Sequence, residues 1–197
     1  MINIALEREI YKEMLSVWEQ FLLSREIAWQ VRLTGKSIPS ELRSVRLTIG
    51  RFLFSDYFLS MKELFEHTDD TLLQADLQNY RNLKNKWLTN WQLKINKEIP
   101  IRMREWERIV KDLRSDSDYS QTQLKNQLLI RVILDLLINE LNLDDQLIFT
   151  KNVNELDVRY LAVTYKKQFI WNKEFEEYFP EEKFWYLYRY VSHSGGD

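Results

Sequence analysis

The chain has 197 residues, 45% of them hydrophobic, and a formal net charge of -2. That is enough apolar material for a core, and too little charge for a global pull towards nucleic acid or anionic membranes. The absence of cysteine excludes disulfide scaffolds, thiolate metal centres and cysteine nucleophiles. The opening MINIALEREIYKEM places Glu7, Glu9 and Glu13 where a secretory leader is basic and then apolar. No run reaches the roughly 18 apolar residues of a membrane span, so a cytoplasmic protein without a membrane partner is expected.

Only four glycines and three prolines punctuate the chain, which predicts few turns and long elements. Over residues 4 to 33, Ile10, Met14, Val17, Trp18, Phe21, Leu22, Ala28 and Val31 recur at helical spacing, with Gly35 as the stop. A second helix is expected from about Ser40 to His67, with Pro39 near its first turn. Its buried side would run through Leu42, Val45, Ile49, Phe52, Leu53, Leu59 and Leu64, and Gly50 would allow a close helix approach. A third segment, capped by Asp69 or Asp70, carries apolar residues from Leu73 to Leu113 and is expected to kink or divide at Pro100. Asp116 or Asp118 would cap the next helix, whose LLIRVILDLLINEL core is apolar nearly all round and should lie centrally. Residues 158 to 171, VRYLAVTYKKQFIW, suit a strand by composition, whereas Asn154, Glu155 and Asp157 read as a helix start; helix is the preferred assignment. The expected fold is an all-α elongated bundle of five or six helices in one domain, residues 1–192, with 193–197 as a disordered tail.

Catalytic motifs are absent. Neither G-x-G-x-x-G nor a P-loop can be built from these glycines, and no serine lies in G-x-S-x-G. The two histidines are His67 and His193. Glu63, His67, Asp69 and Asp70 form the best metal-like cluster, but Leu64 stands where a Glu-x-x-His pair needs its glutamate, so a capped helix end is the better reading. Asp144, Asp145, Glu155 and Asp157 lack EF-hand spacing and read as a solvated loop. No metal or cofactor is expected.

Two features stand out. Residues 81 to 114 hold ten basic side chains against four acidic ones. On a helical wheel Lys86, Lys97, Arg104, Arg108 and Lys111 fall within about 60° of one another, opposite Trp91, Ile95, Trp106, Val110 and Leu113. Such a ridge is either a solvated face or an anion-binding face for phosphates or an acidic protein. The tryptophans lie on the other side, which argues against a single-strand stacking platform. The second feature is EEKFWYLYRYV, residues 181 to 191, with Phe184, Trp185, Tyr186, Tyr188 and Tyr190. Pro180, Glu181 and Glu182 suggest a helix start, on which Phe184, Leu187, Tyr188 and Val191 share one face. Trp185, Tyr186 and Tyr190 point elsewhere and are candidates for a protein or homo-oligomer interface. The preferred reading is a non-catalytic interaction or scaffold protein with a protein partner. A nucleic-acid-associated protein using the Lys86 to Lys111 ridge is the alternative, and an enzyme with a carboxylate site that no motif marks comes third.

Overall fold

Four stretches, residues 4–34, 43–66, 70–115 and 119–192, are described by the computed structural model. They are 75% helical with only small antiparallel sheets, so the all-α expectation holds, and no described helix is long and apolar enough to cross a membrane. The chain divides into two compact units, Ile2–Glu98 and Ile99–Asp197. The tail, 193–197, lies outside the described residues.

The first unit contains α1 (Ile4–Ser16), α2 (Trp18–Leu23), β1 (Trp29–Arg32), β2 (Ser44–Leu47), α3 (Ile49–Glu66), α4 (Thr71–Lys86) and the start of α5 (Leu88–Ser115). The single helix expected over 4–33 is therefore two helices and a strand. Val17 leaves the helical region at φ -110°, ψ 5°, and Ser24 turns extended after α2. Beyond it, Val31 is buried between exposed Gln30 and Arg32, the alternation of a strand. The deciding partner is distant: Val31 pairs with Val45, and the Gln30 amide donates to Ser44 Oγ at 2.8 Å. The second helix accordingly starts at Ile49 rather than near Ser40, because β2 claims Ser44–Leu47.

At the start of α3, Thr48 Oγ1 accepts from the Arg51 N–H at 3.0 Å, and the buried Glu98 carboxylate accepts from the Gly50 N–H at 3.0 Å. Gly50 thus serves a close approach, by a carboxylate. Beneath it Trp18 stacks on Phe52 at 3.9 Å, with Tyr80 and Trp91 edge-on at 6.0 and 5.8 Å. Buried Lys94 lies over the Phe21 ring at 4.2 Å and donates to the Ser24 carbonyl at 3.1 Å, so a cation closes the C-terminus of α2. Burial lowers its pKa from the ordinary lysine value.

Asp70 caps α4, accepting from the Leu73 N–H at 3.0 Å, as expected for the third segment. The third segment was expected to kink or divide at Pro100, and the interruption of its helical run lies elsewhere. It falls at Trp87, with φ -117° and ψ 35°, while α5 stays helical across Pro100. Trp87 is fixed outside the helical run by its indole N–H, which donates to Glu19 Oε1 at 2.8 Å. Pro100 removes the donor that Asn96 would use, and Asn96 is exposed, so water can serve its carbonyl.

The second unit holds the rest of α5, then α6 (Gln121–Ile138), α7 (Leu143–Leu161), β3 (Thr164–Lys166), a 3₁₀ turn Lys173–Tyr178, α8 (Glu181–Phe184), a 3₁₀ turn Trp185–Tyr188 and β4 (Arg189–Val191). Ser120 caps α6 in a capping box: its Oγ accepts from the Gln123 N–H at 3.2 Å, and the Gln123 side chain accepts from the Ser120 N–H at 2.6 Å. The proposed caps Asp116 and Asp118 lie outside the described residues. Buried Leu124, Leu128, Val132, Leu134 and Leu137 make α6 the central helix of this unit, as its composition predicted. Asn142 caps α7, accepting from the Asp145 N–H at 3.0 Å, so the start expected at Asn154 falls inside the helix. Residues 158–171 are only partly helical, because Thr164–Lys166 pairs with Arg189–Val191. The Arg189 Nε–H also donates to Thr164 Oγ1 at 2.9 Å.

Candidate anion-binding groove

Five cations line one groove of about 630 Å³ in the second unit: Arg104, Arg108, Lys111 and Arg114 from α5, and Arg159 from α7. Its apolar floor includes Val110 and Leu156, and among the described lining residues Glu107 is the one carboxylate, giving these residues a net formal charge of +4. Helical spacing explains the α5 wall. Trp106, Ile109, Val110 and Leu113 are buried, which turns Arg104, Arg108 and Lys111 outwards at i, i+4 and i+7. On α7, burial of Val153, Leu156, Asp157 and Tyr160 leaves Arg159 exposed. None of the five cations has a hydrogen-bond or ion-pair partner among the described residues.

A buried polar clamp joins the helices beneath the groove. Asp157 on α7 accepts from the Trp106 indole N–H of α5 at 2.9 Å and from Arg131 of α6 at 3.1 and 2.7 Å. Arg131 also pairs with Asp135, whose other oxygen accepts from the Tyr186 hydroxyl at 2.8 Å, and the guanidinium lies 4.6 Å from the Tyr186 ring centroid. Burial disfavours a charge on Arg131, but Asp135 and Asp157 outweigh it and hold the pKa above the usual arginine value. Burial, reinforced by Asp135, also pushes the Tyr186 phenol well up, so it stays a donor. The acidic group of the sequence reading is thereby dispersed: Asp157 is inside the unit, Asp145 is at the α7 cap, and Asp144 and Glu155 are exposed.

The five cations of the sequence ridge are shared between α4 and α5. Lys86 ends α4 and pairs with Glu19 at 2.7 Å, and Lys97 belongs with it in the first unit. Arg104, Arg108 and Lys111 are the part that enters the groove. Sequence reasoning left out Arg114 and Arg159. Arg114 follows Leu113 off the ridge, and Arg159 reaches the groove from a helix that local periodicity cannot relate to α5.

The C-terminal aromatics have separate fates. Phe184, Leu187, Tyr188 and Val191 are buried as one group, and Phe184 meets Phe179 edge-on at 5.2 Å. Tyr186 is fully buried, whereas Trp185 and Tyr190 are half-buried, with ring centroids 6.1 Å from Tyr160 and 6.3 Å from Tyr165. Tyr188 is pushed up to about 12 by burial and by Glu176, Glu181 and Glu182.

In the first unit, Glu63 and Arg81 line a second groove of about 520 Å³, and Asp70 is engaged with Arg8 as well as with its cap. His67 and Asp69 lie outside the described residues. Among the described residues no group of three or more histidines and carboxylates is placed to hold a metal ion. Comparison with family models, curated proteins and solved structures found no match.

Proposed function

We propose that the protein is a non-catalytic interaction protein that docks an acidic segment of a partner protein in the Arg104–Arg159 groove. The observation that supports this reading is the set of five cations around an apolar floor, none of them paired with a side chain among the described residues. A solvated helix face needs no such convergence from two helices. Cations held near low-dielectric walls raise the local concentration of an anionic partner and speed its capture. Val110 and Leu156 suit an apolar side chain beside the acidic ones, and Glu107 gives a peptide N–H an acceptor. Nucleic acid ranks second. A duplex presents a continuous row of phosphates, which the Glu107 carboxylate opposes.

The test is affinity capture from native lysate with the parent chain and with R104E/R108E/K111E, before and after nuclease treatment. Because all three side chains are exposed, the variant should melt within about 1.5 kcal/mol of the parent. A partner retained by the parent after nuclease, released by salt and lost from the variant is the expected result. Loss of the captured material on nuclease treatment moves the assignment to nucleic acid. Equal capture by parent and variant removes the groove from the function altogether.

A further inference from the structure

We infer that the anion taken by this groove is a phosphate monoester carried on the partner protein, so that docking follows the partner's phosphorylation; the inference rests on the reading of the groove as a protein-docking site. Charge is the first argument. The described lining residues carry +4, whereas a carboxylate side chain brings one negative charge and a phosphorylated hydroxyl side chain brings about -1.5 to -2 at neutral pH on three acceptor oxygens. Donor chemistry is the second. Four of the five cations are arginines, whose planar forks give paired N–H bonds to phosphate oxygens, where a lysine acts as a point charge. Clusters of arginine are the recurring solution for recognising phosphorylated segments.

Placement is the third argument. Arg104, Arg108 and Arg114 stand on α5 and Arg159 on α7, so donors reach the groove from two walls. A tetrahedral phosphate has oxygens for both walls, while a planar carboxylate is satisfied in its plane by a single guanidinium. The walls hold their separation through the Trp106–Asp157 bond at 2.9 Å, which preorganises the cations before the ligand arrives. Size then favours a protein segment over a free phosphate. The groove of about 630 Å³ has room for neighbouring side chains as well as the phosphate, and Val110 and Leu156 give them an apolar surface. Ile148, 59% exposed, shares the Arg159 face of α7 about 16 Å along the axis and extends that surface for a chain running out of the groove.

The experiment measures binding of the full chain to four labelled peptide libraries with randomised flanks, centred on phosphoserine, phosphotyrosine, serine or glutamate. Inorganic phosphate and a duplex of random sequence serve as competitors. Each bidentate charge-assisted pair contributes enough to give roughly tenfold or more in affinity, so the phosphorylated libraries should bind at least about tenfold tighter than the glutamate library. The preference should vanish in R108Q and in R159Q, with circular dichroism confirming that both variants remain folded. Equal binding of the glutamate library overturns phosphate recognition and leaves the acidic-segment reading standing. Displacement by inorganic phosphate at concentrations matching the peptide's own Kd overturns the protein source, and tighter binding of the duplex assigns the groove to nucleic acid. If none of the probes binds, both the inference and the docking reading fall together.

Discussion

Replacing Asp157 by alanine would remove the acceptor shared by two elements of the second unit, Arg131 on α6 and Trp106 on α5. The two ionic side chains retain only 5% and 7% exposure, so water cannot replace the lost carboxylate without opening the core. Breaking a buried pair while leaving its partner charged costs about 3–5 kcal/mol. The Asp135 carboxylate still faces Arg131, which places the expected loss towards the lower part of that range, and the orphaned indole N–H adds about 1–3 kcal/mol of its own. The double variant Arg131→Met, Asp157→Leu removes both members of the buried pair; Asp135 loses its cation, but at 21% exposure it can be hydrated and it keeps the Tyr186 hydroxyl, so the indole is left as the main unsatisfied group. It should therefore be more stable than Asp157→Ala, although it changes more atoms. Denaturant unfolding by far-UV circular dichroism gives the totals, and hydrogen exchange over residues 121–161 gives the local opening. The reasoning fails if Asp157→Ala costs less than about 1 kcal/mol, or if the double variant is the weaker of the two.

Ser120→Ala should lower stability by about 1 kcal/mol in the same denaturation assay, because the Gln123 N–H loses its acceptor. Phe184→Ala, at a fully buried site, should cost about 3–5 kcal/mol, and Trp185→Ala less because the indole is half-buried; unchanged melting of the Trp185 variant with loss of a partner or oligomer would assign that side chain to an interface. Asp70 carries a pH prediction. The Leu73 N–H, with Arg8 beside it, holds the folded carboxyl below its unfolded value, so the unfolded chain takes up the proton first as pH falls. The stabilisation is complete above about pH 4 and disappears as pH drops through the folded value, so the difference between parent and Asp70→Asn, measured by thermal unfolding, should close in acid.

Helices were legible wherever a long apolar stripe repeated on a local period. The α5 stripe from Trp91 to Leu113, the central α6 and the Asp70 cap all follow from residues close together in sequence. The errors share one cause. Trp29–Arg32, Ser44–Leu47, Thr164–Lys166 and Arg189–Val191 are strands because each finds a partner at a distance along the chain, and helical spacing of Val31 or Val45 cannot report that pairing. The break at Trp87 has the same origin: Glu19 accepts the indole N–H from 68 residues away.

The groove was half legible for a related reason. The outward set Arg104, Arg108 and Lys111 is a property of one helix, and a wheel finds it. Whether such a set is a solvated face or a binding wall depends on what stands opposite, and Arg159 is placed there by the packing of α7, not by its neighbours in sequence. Asp157 makes the connection: two residues before Arg159 on the same helix, it accepts the Trp106 indole N–H, and Trp106 lies two residues before Arg108 on α5. The residue that first looked like part of an acidic loop therefore fixes the distance between two cationic walls. Trp106→Phe removes the indole N–H that links α5 to α7 while Asp157 keeps its bonds to Arg131. It should loosen the groove without altering any residue that lines it, so affinity for the phosphorylated probe should fall while the net charge of the lining stays the same. Unchanged affinity in a folded Trp106→Phe variant would show that the walls keep their spacing without that bond.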